Sequence, residues 1–206
     1  MKFRITRITW IGLITLIGFP ILAFMLLLIF SDGWTSFVGI FQTQLGYLTE
    51  VILGTCYGVV TGIIAWVIIK SSWMRPILMK YGHMVQGLKL SPFQIVFLSV
   101  CAGAGEEVFF RGALQPFWGV WITAVFFVAI HGYLNFKDLK IFVYGLYMTI
   151  VIAGMGWLKM EYGLISAILA HIAVDVVLFY NLTYTKILKR KQKTTKEILW
   201  SGFEEE

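Results

Sequence analysis

Long apolar runs organise this chain. Trp10 to Phe30 contains no charged residue, and five further runs follow at about 47–69, 92–113, 117–132, 140–158 and 163–182. Runs near 20 residues are what a helix needs to cross a hydrocarbon core roughly 30 Å thick. Strands cross a bilayer only as closed barrels and show a period of two, which these runs lack, so each is expected to be a helix. The pattern predicts an all-α fold, a polytopic transmembrane bundle of about six spans.

The polar positions between the runs set the expected orientation. Of 17 Lys and Arg residues, Lys2, Arg4 and Arg7 precede the first run, Lys70, Arg75, Lys80 and Lys89 follow the second, Lys137 and Lys140 follow the fourth, and six lie beyond residue 183. Only Arg111 and Lys159 fall elsewhere, so the excess of positive charge puts both termini in the cytosol. The basic start followed by an apolar run has the outline of a secretory signal. The run exceeds the roughly 7–15 residues of a signal and "MLLLIFSDG" ends in no small-residue cleavage site, so it is expected to be a retained first span.

Composition agrees: the 206 residues are 59% hydrophobic and 14% charged, with a mean hydropathy of +0.81, against roughly 25% charged in soluble domains. An integral membrane protein follows, with the lipid bilayer as its surroundings. The net charge of +6 is accounted for by topology, which removes the reason to expect a nucleic-acid partner. Cys56 and Cys101 both fall in spans and are expected to be small core residues without a disulfide. A single membrane domain is expected, with two leading helices and an interfacial segment over 1–91, a four-helix core over 92–182 and a cytosolic tail over 183–206. Nothing in the sequence sets an oligomeric state.

Between the second and third runs, Ile77, Leu78, Tyr81, Met84, Val85 and Leu88 recur at helical spacing, which predicts a short helix lying on the cytosolic membrane surface. A lid or docking element is the alternative. His83, among the basic residues, is expected to be inert. The tail turns from basic to acidic; its basic part suits anionic lipid.

With charges near the span ends set aside, six ionisable residues remain: Glu106, Glu107 and Arg111 in the third, His131 at the end of the fourth, and His171 and Asp175 in the sixth. Each costs at least about 2.5–3.5 kcal/mol at membrane depth, so they are expected to face one another. Glu107 and Arg111 are four apart and stack on one helix face as a structural brace. Glu106 is offset by ~100° and points away from that cation, free for chemistry. His171 and Asp175 are again four apart, on one face. With the turn between the third and fourth spans near Gln115–Pro116, Glu106 and His171 are level, whereas His131 comes out about 8 Å deeper at ~1.5 Å per residue. Tilt and side-chain reach are expected to close that gap. Because His131 then lies nearest the cytosolic face, the cavity is expected in that half.

"EEVFFR" (106–111), "FVAIH" (127–131) and "HIAVD" (171–175) resemble, in order, the E-E-x-x-x-R, F-x-x-x-H and H-x-x-x-[N/D] motifs of the CAAX protease and bacteriocin-processing family, called CPBP or Abi. The resemblance covers roughly residues 92–182. It implies an intramembrane endopeptidase in which Glu106 and His131 activate water and His171 and Asp175 stabilise the oxyanion, with Glu107 and Arg111 as support. Asp175 stands where the eukaryotic members carry asparagine. A carboxylate cannot donate to an oxyanion, so Asp175 is expected to orient His171 and keep it protonated.

Elementary chemistry runs parallel. Desolvation makes a carboxylate a stronger base once ionised, suited to taking a proton from water, and an N–H facing the developing oxyanion supplies the largest single term in much of catalysis. Glu106, His131 and His171 also form a set that could hold zinc with water as fourth ligand; the expectation is that no metal or other cofactor is obligatory. The expected substrate is a small peptide or a membrane-associated protein, in a bacterial cytoplasmic membrane, in bacteriocin processing, self-immunity or peptide-signal maturation. Two other readings use the same residues: a small proton-coupled carrier, and a non-catalytic immunity or scaffold protein. The absence of an internal repeat and of paired broken helices weighs against the carrier.

Overall fold

A computed structural model describes residues 7–43 and 45–185. These are helical, with no strand among them: α1 (Arg7–Phe30), α2 (Trp34–Gly39), α3 (Tyr47–Lys70), α4 (Arg75–Gly87), α5 (Pro92–Glu107), a π-helix (Val108–Leu114), α6 (Gln115–Ile130), α7 (Leu139–Glu161) and α8 (Leu164–Tyr184). Lys2, Arg4 and the tail from residue 186 lie outside the described residues. Side chains such as Ile29, 70% exposed, and Ile150, 64% exposed, cover the outer face, which is tolerable only in lipid.

Five helical runs are long and apolar enough to cross a membrane. The third, Pro92–Ile130, has 39 residues, about 58 Å if straight and nearly twice a hydrocarbon core. It is not straight. Gly119 has φ 75° and ψ 171°, a backbone that glycine adopts without a Cβ penalty, and there the chain reverses. The pairs that meet across the fold, Glu106 with His131 and Phe110 with Phe127, are both centred between residues 118 and 119. The turn is therefore three to four residues later than the expected Gln115–Pro116. The returning arm, Val120–Ile130, has eleven residues, about 16 Å, where a span over 117–132 was expected. Gly132, at φ 78°, ends it as glycine commonly ends helices.

Two signals position α5 and α7. Ser91 and Gln94 form a reciprocal cap at the start of α5, with Pro92 at its first turn, and Asp138 accepts from Lys140 and Ile141 N–H at the start of α7, each satisfying orphan donors. The contact between α3 and α8 depends on small residues. Gly54, Gly58 and Gly62 recur every four residues, and a Cβ on Gly54 or Gly58 would strike the carbonyl of Ser166 or Ala170; such stripes let membrane helices approach backbone to backbone. Glu50, 1% exposed, reaches from α3 to accept from Ser166 N–H at 3.3 Å, capping α8 from outside. Tyr57 donates to Val151 O at 2.9 Å and Tyr147 to Thr61 O at 2.7 Å, fastening α7 to α3.

Two expectations change here. Cys101 is buried as foreseen, but Cys56 is exposed on the outer side of α3. The amphipathic helix α4 turns Ile77, Leu78, Tyr81 and Val85 into a cavity wall shared with Tyr133, Asp175 and Leu178, while Gln86 donates to Leu182 O and Thr185 O at the end of α8. It covers the bundle rather than only lying on a surface.

The close α3–α8 approach yields a test. Gly58→Val is expected to destabilise the protein by about 1–3 kcal/mol through overpacking, read in detergent as thiol labelling of buried Cys101 in a Cys56→Ser background. Gly18→Ala, where a Cβ meets nothing within 4 Å, is expected to leave labelling unchanged.

Candidate active site

The three sequence motifs converge on one level of the bundle. Glu106 and His131 lie thirteen and twelve residues from Gly119 on the two arms, so the later turn removes the depth mismatch without special tilt. Glu106 Oε2 is 3.7 Å from His131 Nε2. His131 Nδ1 donates to Phe127 O at 2.7 Å, which in the neutral ring leaves Nε2 as a lone-pair acceptor facing Glu106. Glu106 Oε2 is buried and has no hydrogen-bond partner among the described residues.

Glu107 has a different environment. Its carboxylate is 0% exposed and sits 3.0 Å from Arg111 Nε, and it also accepts from His171 Nδ1 at 2.8 Å. Arg111 in turn donates to Ile152 O at 3.4 Å and lies 4.8 Å from the Phe127 ring centroid, a cation over a π face. Glu107 thus joins the third motif to the first. The expected orienting of His171 by Asp175 is the longer contact, Nε2 to Oδ2 at 3.7 Å; the shorter hold on the ring is from Glu107.

Phe127, which opens the second motif but was given no role there, is the packing centre of the site. Its ring stacks on His131 at 4.3 Å and meets His171 edge-on at 5.9 Å. The signal was in the F-x-x-x-H spacing, since residues four apart on a helix lie one above the other. Tyr133 is the second addition, its ring nearly parallel to His131 at 6.3 Å.

Glu106, His131, His171 and Asp175 all line a cavity of about 460 Å³. It runs between α1, α5, α7 and α8, from Met155 to Leu88 and Leu90, so it opens toward the end of the bundle that carries the start of α1. The short arm stops His131 level with Glu106, its side chain 35% exposed. Among the described residues no three His, Cys, Asp or Glu side chains form a group that could hold a metal ion.

Breaking the buried clasp tests its weight. Glu107→Ala is expected to cost about 3–5 kcal/mol, because Arg111 is then buried without a counter-charge, seen as earlier Cys101 labelling on heating. Glu107→Leu with Arg111→Met is expected to recover most of that stability while leaving His171 unheld.

Comparison with curated proteins and with solved structures gave no match. Residues 88–177, which contain all three motifs, match the family model described as type II CAAX prenyl endopeptidase, Rce1-like. Through that segment the chain is similar to the CAAX-type intramembrane proteases, and its five long apolar helical runs are those of a membrane protein.

Proposed function

We propose that the protein is an endopeptidase of a bacterial cytoplasmic membrane that hydrolyses a peptide bond of a small peptide or membrane-associated protein with water activated by Glu106. The supporting observation is the pair of acceptors, Glu106 Oε2 and His131 Nε2, 3.7 Å apart at the wall of a cavity. That gap is too long for a direct hydrogen bond and suits one water donating a hydrogen to each. Its oxygen lone pairs then point into the cavity.

The reaction follows from that placement. Water oxygen attacks the carbonyl carbon as its proton passes to Glu106, and the C=O π pair moves onto oxygen. His171, with Glu107 at Nδ1 and Asp175 at Nε2, is the N–H donor nearest the developing charge. Collapse of the tetrahedral species breaks the C–N bond, and the leaving nitrogen takes the proton from Glu106. The products are a carboxylic acid and an amine, with the enzyme returned to its starting protonation. Asp175 accepts and orients; Glu107 and Arg111 hold the ring in place. No step passes through a metal. Bacteriocin processing, self-immunity and peptide-signal maturation are pathways such an activity serves.

Glu106→Gln and Glu106→Ala are each expected to lower kcat for a fluorogenic apolar peptide pool by roughly 10²–10⁴-fold, with Cys101 labelling unchanged. Cleavage in EDTA is expected to match the untreated sample; loss that zinc restores would transfer water activation to a metal.

A further inference from the structure

The catalytic cavity is rich in acceptors and poor in donors. Glu106 and Asp175 accept, His131 presents a lone pair at Nε2, and one N–H of His171 is committed to Glu107. An oxyanion forming on a scissile carbonyl needs at least two hydrogen-bond donors aimed at it, and carboxylates on both sides would oppose it. Hydroxyls are the remaining source. Thr15, in the wall, already donates to Ile11 O at 3.0 Å, and Tyr144, which lines the same cavity, is 6% exposed, its ring packed behind the more open Tyr133 at 5.5 Å and 84°. That leaves Tyr133.

Tyr133 is placed with unusual firmness for a residue outside the helices. Its N–H donates to Val128 O at 3.2 Å, and its carbonyl rests where a Cβ on residue 145 would be, a space that exists because that residue is Gly145. The ring is held between His131, nearly parallel at 6.3 Å, and the edge of Tyr144. It lines both the catalytic cavity and the adjoining apolar cavity of about 280 Å³ beneath α4, so it stands at their junction.

We infer that Tyr133 is a catalytic hydrogen-bond donor, its phenol O–H donating to the oxyanion that forms on the scissile carbonyl. The inference rests on the peptidase reading above. Burial, with the nearby carboxyls of Asp175 and Glu106 and the phenol of Tyr81, pushes the phenol up to about 12, so it stays a neutral donor throughout the working range of a peptidase. It transfers no proton. The carbonyl π pair moves to oxygen, that oxygen accepts from Tyr133 O–H and His171 N–H, and the proton delivered to the leaving nitrogen is the one Glu106 took from water. Such a donor contributes only once charge develops, so its removal lowers kcat rather than raising KM.

Tyr133→Phe keeps the ring and both aromatic contacts and removes only the hydroxyl. With the fluorogenic apolar peptide pool in detergent, kcat is expected to fall about 10²-fold or more, with KM within about threefold and Cys101 labelling as in the unaltered protein. Unchanged kcat, or a rise in KM alone, would make Tyr133 a wall residue and overturn the inference. Glu106→Gln in the same assay separates the two ideas. Cleavage abolished by Glu106→Gln but untouched by Tyr133→Phe refutes the donor and leaves the peptidase reading standing. No cleavage by the unaltered protein would overturn both.

Discussion

Arg111 is 1% exposed and cannot be deprotonated in practice, so the bundle has to solvate a guanidinium with its own atoms. It does so from three directions. Glu107 supplies a counter-charge at 3.0 Å, the Ile152 carbonyl of α7 accepts a hydrogen bond, and the Phe127 ring of α6 offers its face. Glu107 is in turn held by His171 of α8. One cation therefore fixes how the four C-terminal helices meet. The π-helix from Val108 to Leu114 belongs to the same constraint, since π segments concentrate where side chains must be re-aimed. Before it, Gly103 and Gly105 face α8 and α1; within it, Arg111 faces α6 and α7.

This clasp also separates two adjacent carboxylates into different chemistry. Glu107 has its charge answered on both sides by Arg111 and His171. Glu106, one residue earlier, is turned by about 100° and leaves an oxygen unpartnered beside His131. A carboxylate tied to a buried cation holds helices together, whereas one turned toward a cavity is free to meet water or substrate. The stability of the first makes room for the reactivity of the second.

The spans were legible because apolar length is a one-dimensional signal: the bounds of α1, α3, α7 and α8 fall within a few residues of the runs read from sequence. The stacking of Glu107 with Arg111 was equally legible, being a relation within one helix. Relations between helices were not. The bond from Glu107 to His171 joins residues 64 apart, and helical spacing carries no information about it. The glycine stripe Gly54, Gly58, Gly62 was visible in principle, yet within generic apolar sequence only its contact with Ser166 and Ala170 gives it meaning. Glu50 stands near the start of its apolar run, and its burial becomes apparent only when its contact with the start of α8 is seen. The face of α4 was read correctly as amphipathic, but amphipathicity does not distinguish a lipid surface from a cavity wall.

The most consequential error concerned the hairpin. A turn at Gln115–Pro116 is compatible with proline's restriction of the residue before it. Here Pro116 sits in the first turn of α6, where its missing N–H costs nothing, and the reversal waits for Gly119. The difference of a few residues decides the chemistry. Each residue moved from one arm to the other shifts the facing side chains by about 1.5 Å along the axis and rotates them by about 100°. Glu106 and His131 meet because the outward arm from Glu106 and the return arm to His131 are matched to within one residue, and because Gly132 stops the return arm there. Phe127, one turn back from His131, then falls beside Phe110 and Arg111, so the same register that brings Glu106 to His131 also closes the clasp. Two glycines with positive φ thus set the geometry of a site in which neither takes a chemical part.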